Sequence, residues 1–141
     1  MVNPQVRRRG RERALQFLFS LDFNGHTCEE KIEDFWVINP VKPGAKQYAE
    51  VLIRGVWAHL EELDEEIAGS LDNWTPDRIG YVERAVLRIA LYEMRHCADV
   101  PDSVAINEAL EVTKIFGTED APKFINGVLD RLKRKSQTRT A

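Results

Sequence analysis

Residues 82–93 read VERAVLRIALYE. In this stretch apolar side chains recur at intervals of three or four positions, as at Val82, Val86 and Ile89, which places them on one face of an α-helix. Comparable spacing covers nearly the whole chain, and no convincing alternation of apolar and polar residues indicates a strand. The sequence therefore predicts an all-α protein.

The same spacing, followed outward from this helix, predicts further helices on both sides. The expected segments, in chain order, are residues 4–23, a short helix between Thr27 and Asn39, a long helix from Pro43 to Gly69, a helix from Thr75-Pro76 to Cys97, a helix through Ile106 and Phe116, and a last helix through Ile125 and Leu132. We expect a compact bundle of six or seven helices, forming a single domain over residues 1–141 with a basic, flexible tail at about 134–141.

The composition is that of an ordinary globular protein, with 43% hydrophobic and 30% charged residues among 141. No apolar run approaches the roughly 20 residues of a membrane-spanning helix. The basic start is not followed by the apolar core of a signal peptide. Cys28 and Cys97 fit neither a disulfide framework nor a zinc spacing, so we expect two reduced thiols. These features predict a cytoplasmic protein with no membrane partner.

Positive charge is concentrated at the two ends of the chain. The net charge is -3, but residues 1–13 carry +4, residues 131–141 carry +5 and the stretch between them carries -12. A local cationic patch, rather than net charge, decides where phosphates are attracted. Like charges one helical turn apart, such as Arg7 and Arg11, repel each other, so a stable helix that bears them suggests an anionic partner. A solvated or frayed basic arm is the alternative interpretation.

Two aromatic side chains strengthen the prediction of nucleic-acid binding. On a helix of 3.6 residues per turn, Phe19 lies roughly opposite the apolar stripe and in line with Arg8. Phe124 precedes the apolar stripe of the last helix. An exposed aromatic ring beside arginines is a platform on which unpaired bases stack. Burial of either ring in the core is the structural alternative.

The sequence contains no motif typical of an enzyme. It has no glycine loop for phosphates, no His-Glu-x-x-His and no serine elbow. His26 with Cys28, and His96 with Cys97, could be imagined as a composite metal site. Adjacent helical residues point about 100° apart, however, so His96 and Cys97 could hardly share an ion. We therefore expect no catalytic site, no cofactor and no metal.

Three blocks of sequence, spread over most of the chain, carry a family resemblance. They are Arg7–Glu12 leading into Ala14–Gln16, then Val82–Glu93, and then Val104–Ala109 through Lys114–Gly117 to Lys123–Asp130. In this order and at these separations the blocks resemble the NusB family. The region from Thr27 to Trp74 matches mainly in its helical pattern.

The resemblance implies a fold of two small helical subdomains. It also implies binding of boxA-type single-stranded RNA together with ribosomal protein NusE, within an RNA polymerase antitermination complex that supports transcription of ribosomal RNA operons. On the matching positions it implies RNA contacts by Arg7, Arg8, Arg9, Arg11, Gln16, Phe19, Arg88, Asp120 and Phe124. Glu83 matches a position expected to meet NusE, and a homodimer is a possible state of the free chain.

Some positions depart from the family pattern or have simpler interpretations. Phe19 stands where relatives often carry tyrosine, so it keeps the ring and loses a hydroxyl. Gly10 is a poorer helix former than alanine by up to about 1 kcal/mol, which predicts a frayed arginine arm before RNA binds. Glu83 and Arg88 could be surface charges, and Asp120 a first-turn acid favoured by the helix dipole.

Two alternative functions remain open. Similar helical domains are fused to RNA methyltransferases, where they dock RNA. This chain has no glycine-rich cofactor motif and could not methylate alone. A helical adaptor that binds only proteins is the other alternative.

Overall fold

The computed structural model describes residues 3–24, 28–71 and 79–140, with the side chains of 23, 24, 28–30 and 136–140 excepted. These residues form seven α-helices and no β-strand. The helices are α1 (Pro4–Asn24), α2 (Cys28–Ile38), α3 (Pro43–Ala58), α4 (Leu60–Gly69), α5 (Tyr81–His96), α6 (Asp102–Phe116) and α7 (Ala121–Thr140). The predicted all-α fold with six or seven helices is confirmed.

Helix α1 contacts α3, α5 and α6, and it therefore joins the two halves of the chain. Its apolar stripe includes Ala14, Phe17 and Leu21, each at most 4% exposed. This stripe belongs to one contiguous hydrophobic core, to which α3 contributes Leu52 and α5 contributes Leu91. The helices of both halves of the chain thus share a single core, and α1 contacts helices of both halves.

The expected long helix from Pro43 to Gly69 is divided at His59, which corrects the sequence-based prediction. His59 has φ -114° and ψ 19°, and it separates α3 from α4. The hydrogen bonds from His59 N to Gly55 O and from Leu63 N to His59 O are nevertheless kept, at 3.1 and 2.9 Å. Since the spacing of buried side chains continues across the break, the sequence pattern gave no sign of it.

Two other boundaries differ from the prediction. α5 begins at Tyr81, after an extended Gly80 at φ -62° and ψ 157°. Ile79, expected inside that helix, precedes it and is buried. The proposed Thr75-Pro76 start lies outside the described residues. At the other end, α7 remains helical through Thr140 and includes most of the basic tail, whose flexibility stays a prediction.

Gly10 marks a close approach between two helices. A methyl group at this position would lie 3.0 Å from the Ala45 carbonyl oxygen and 3.2 Å from the Ala49 nitrogen, both in α3. The residue is buried, and α1 is helical from Pro4 onward. Gly10 thus has a packing role at the base of the arginine helix, which the prediction of a frayed arm did not consider.

Among the described residues, no helix is long and apolar enough to span a membrane. Cys97 is a free, half-buried thiol, as expected, and its pKa is raised to about 11 because burial and the nearby acids disfavour the thiolate. The thiol of Cys28 lies outside the described side chains.

Candidate nucleic-acid interface

The amino-terminal half of α1 carries arginines in two different environments. Arg8 and Arg9 are exposed and Arg7 is half-buried, whereas Arg11 is only 4% exposed. This division follows from the helix geometry, because Arg11 falls on the side of α1 that faces α5 and α6. The residues predicted together as RNA contacts are therefore not equally accessible.

Arg11 is the centre of a buried network of charges. Its guanidinium donates to both carboxylate oxygens of Glu93, at 2.8–3.1 Å, and to Glu108 Oε1 at 3.0 Å. The Tyr48 hydroxyl donates to the same Glu93 carboxylate. Burial disfavours the charged guanidinium, but the hydrogen bonds and charge of Glu93 outweigh it and raise the pKa of Arg11. Arg11 therefore anchors α1 and does not present its donors to solvent.

The accessible arginines also have acidic partners within the chain. Arg8 donates to both oxygens of Glu108, at 2.5 and 3.2 Å. Arg7 pairs with Asp99 at 2.5 Å, which lowers the pKa of that carboxyl. In addition, Arg9 pairs with Glu12 at 3.1 Å.

These pairs correct one step of the sequence-based reasoning. The repulsion within the arginine cluster was taken to suggest an external anion, but acids from α1, α5, α6 and the α5–α6 loop already offset it. The charges of Arg7, Arg8 and Arg9 are therefore matched within the chain, and an external anion would compete with these carboxylates. The competition costs least at the exposed pairs Arg7–Asp99 and Arg9–Glu12, since a surface ion pair contributes only about 0–1 kcal/mol.

The next turns of α1 continue the accessible surface. Gln16 is half-buried and accepts a 2.8 Å hydrogen bond from Arg13. Phe19 is 37% exposed, and its ring meets Tyr81 edge-on with the centroids 6.1 Å apart. The guanidinium of Arg84 lies over the Tyr81 ring at 5.8 Å. An aromatic pair with a nearby cation is therefore accessible at this end of α1.

Arg88 is not a surface charge, contrary to the simpler interpretation of it. It is 6% exposed and makes 2.8 Å hydrogen bonds with both oxygens of Asp64. Its third nitrogen donates to Asp22 at 2.9 and 3.1 Å. Because Asp22 belongs to α1 and Asp64 to α4, Arg88 of α5 joins three helices. Its donors are committed to this structural role.

The remaining predicted residues lie on other parts of the molecule. Asp120 is exposed and immediately precedes α7, so it lies outside the first turn, although negative charge is favoured beside a helix N-terminus. Phe124 is half-buried and packs against the core, so only part of its ring is accessible. Glu83 is half-buried in the first turn of α5.

A model of the NusB family matches residues 8–134 of this chain. The chain belongs to the NusB family. The transcription antitermination protein NusB of Geobacter sulfurreducens is 44% identical over 130 residues, which cover 90% of this chain and 93% of that protein. The transcription antitermination protein NusB of Bacillus subtilis is 44% identical over 127 residues, which cover 90% and 94% of the two chains.

A solved structure of a protein–RNA complex also contains a similar chain. A crystal structure of the antitermination factors NusB and NusE in complex with dsRNA contains a chain that superposes with a TM-score of 0.86 at 28% identity. The superposition covers 94% of this chain and 99% of that chain. The fold described above is thus that of an NusB-family protein.

Sequence patterns alone did not identify several residues of this site. Glu93 and Glu108 were not singled out, although they hold Arg11 and Arg8. Both fall in the blocks that carry the family resemblance, and Glu93 follows Ile89 and Ala90 by one helical turn on the apolar face of α5, which is a signal of a buried partner. Tyr81 is adjacent to Phe19 only in the folded chain, so spacing along the sequence could not reveal it.

Proposed function

We propose that this chain is a transcription antitermination factor that binds RNA together with ribosomal protein NusE, in an antitermination complex of RNA polymerase. The observation that carries the proposal is its similarity, over nearly its whole length, to the NusB chain of a solved complex with NusE and dsRNA. The curated relatives bear the same antitermination name. The proposed role is one of binding rather than catalysis, and its place is the cytoplasm of a bacterium.

The RNA surface that we infer is the accessible face of α1. Arg8 and Phe19 lie nearly in line on this helix, about 16 Å apart along its axis at 1.5 Å per residue. Guanidinium groups at one end suit phosphates, and the Phe19–Tyr81 pair at the other end suits stacked bases. This separation suits an RNA segment of a few nucleotides that lies along the helix.

Within this proposal the predicted site residues have two kinds of role. Arg7, Arg8, Arg9, Gln16 and Phe19 contact RNA directly, the arginines by exchanging carboxylates for phosphates. Arg11 and Arg88 are positioning residues, because their buried ion pairs fix α1 against α4, α5 and α6. Asp120 and Phe124 contribute from the start of α7, and Glu83 meets NusE.

The proposal is tested by fluorescence anisotropy of labelled RNA titrated with the chain, alone and with purified NusE. Three RNAs are compared: a boxA-like single strand, a scrambled strand of equal composition, and the boxA-like strand annealed to its complement. We expect the single strand to bind selectively and to bind more tightly when NusE is present. Equal, weak binding of all three RNAs with no effect of NusE would instead favour the protein-only adaptor.

A further inference from the structure

A cluster of two histidines and one glutamate lies where α3, α4 and α5 meet. His59 occupies the break between α3 and α4, Glu62 follows one turn later, and His96 ends α5. The distance from His59 Nδ1 to Glu62 Oε2 is 3.1 Å, and that from His96 Nε2 to the same oxygen is 3.8 Å. One atom from each side chain can be chosen so that all three lie within 4.8 Å of one another.

From this geometry we propose that His59, Glu62 and His96 form a binding site for a divalent transition-metal ion, with Zn²⁺ as the physiological candidate. In a tetrahedral zinc site with ligand bonds of about 2.0–2.2 Å, the ligand atoms are about 3.3 Å apart. The two separations from Glu62, 3.1 and 3.8 Å, lie on either side of this value, and all three ligand atoms lie within 4.8 Å of one another, so the proposed site forms by rotation of the side chains.

The ligand set indicates which ions fit. Two imidazoles and a carboxylate match the three-ligand zinc sites that keep a fourth position open. Imidazole also suits copper and nickel, whereas Ca²⁺ and Mg²⁺ prefer sites made of oxygen ligands. Glu62 and His96 are exposed and His59 is half-buried, so water can reach the ion and complete its coordination. A transition metal is therefore expected to bind, and magnesium is not.

The two imidazole rings stack on each other at this junction. The rings of His59 and His96 stack with their centroids 4.1 Å apart and their planes 23° apart. Tyr92 extends the stack, with its ring centroid 5.1 Å from that of His96. A methyl group added at Gly55 would overlap the Tyr92 ring, so this glycine gives the ring its place against α3. Because a ring nitrogen binds an ion in the plane of its ring, the two nearly parallel rings must turn out of this stack before both nitrogens reach one ion.

The surrounding charge favours a cation. α4 reads LEELDEEIAG and carries five acids and no basic residue. Glu66 is neutralised by Arg95 at 2.9 Å, but Glu61 and Glu65 are exposed and raise the local concentration of cations. The site shares no residue with the proposed RNA surface. A bound ion would tie the α3–α4 junction to the end of α5 and stabilise the folded chain.

The proposal is tested by isothermal titration calorimetry of the full chain, purified without a histidine tag and freed of metal with EDTA, which is then removed. Zn²⁺ and Mg²⁺ are titrated into the unmodified chain and into the variants His59→Gln, His96→Gln and His26→Gln. His26 is the third of the three histidines and serves as the matched control. Cys97→Ser tests whether the neighbouring thiol is a ligand.

We expect one Zn²⁺ per chain, no heat with Mg²⁺, and binding weakened about tenfold or more in His59→Gln and His96→Gln, because even outer partners of metal ligands change affinity by about 10–100-fold. His26→Gln and Cys97→Ser should bind like the unmodified chain. The melting temperature should rise with Zn²⁺ in these three proteins only. Absence of zinc binding by the folded unmodified chain, or equal loss in His26→Gln or Cys97→Ser, would overturn the assignment.

Discussion

The guanidinium of Arg11 and the carboxylate of Glu93 form a buried ion pair between α1 and α5, with a shortest contact of 2.8 Å and side chains only 5% and 1% exposed. The two residues are 82 positions apart in the sequence. Removing the Glu93 charge leaves the buried guanidinium with Glu108 as its only acidic partner, which is more costly than losing a surface pair. The orientation of the arginine helix thus depends on Glu93.

We therefore expect Glu93→Gln to lower the free energy of unfolding by about 3 kcal/mol or more, measured by urea denaturation. The double variant Arg11→Met/Glu93→Met should recover part of this loss, because it removes both charges of the pair, although Glu108 then keeps only Arg8 and the Tyr48 hydroxyl loses its acceptor. Glu50→Gln, which breaks the exposed pair with Arg54, is the control and should cost at most about 1 kcal/mol. A loss in Glu93→Gln no larger than in the control would contradict the anchoring role.

Arg8→Ala should weaken RNA binding, whereas Arg54→Ala should leave it unchanged. The two arginines are matched: their side chains are 45% and 52% exposed, and each is paired with a glutamate. Only Arg8 lies on the proposed RNA surface. Anisotropy titrations at two salt concentrations measure the difference, and loss of one phosphate contact should lower the log–log salt slope by at most about 0.7. Equal affinities for the two variants would count against α1 as the RNA surface.

Phe19→Ala should reduce affinity for single-stranded RNA by about 1–3 kcal/mol, since a stacked base is lost. Trp57→Ala is a stringent control, because Trp57 has the same exposed fraction of 37% but lies on α3. Phe19→Tyr keeps the ring and should retain binding. Circular dichroism spectra check that each variant is folded. If Trp57→Ala lost as much affinity as Phe19→Ala, the effect would not be one of stacking at α1.

Gly10→Ala and Gly127→Ala should change stability in opposite directions. Both glycines are helical, and helix propensity alone favours alanine by up to about 1 kcal/mol. At Gly127 a methyl group would meet nothing within 4 Å, so the gain is expected in full. At Gly10 the methyl group would press on the backbone of α3, and overpacking of this kind typically costs about 1–3 kcal/mol. Thermal unfolding of both variants measures these changes. If both variants were stabilised, the contact between α1 and α3 at Gly10 would have room for a methyl group.

Helical periodicity was sufficient to predict the helices, because buried positions repeat within each segment. It was not sufficient to locate the break at His59, where the apolar spacing continues through a local change of φ and ψ. The start of α5 was predicted too early because Ile79 is buried although it precedes the helix. Burial, the property that the pattern reports, does not require helical backbone.

The candidate site was predicted in part for a related reason. A run of arginines is visible in the sequence, but the partners of each arginine are set by tertiary packing. Arg8 and Arg11 both reach Glu108, about 100 positions away, and only Arg8 remains accessible. The helical phase of Phe19 places it opposite the apolar stripe but leaves its exposure open, and its neighbour Tyr81 comes from another helix. Local spacing predicts the face of a helix, not what packs beside it.

The pairing of Arg8 with Glu108 has a consequence for how the chain treats nucleic acids in general. Glu108 is a counterion that the protein carries with it, so a phosphate that captures Arg8 leaves the Glu108 carboxylate with Arg11 alone, close to a polyanion. For a strand that offers charge alone, this exchange of one anion for another yields little net free energy. A strand that also stacks a base on Phe19 gains binding free energy from that contact. The chain should therefore bind most RNA sequences weakly. Its RNA affinity should depend on salt less steeply than the number of its arginines suggests.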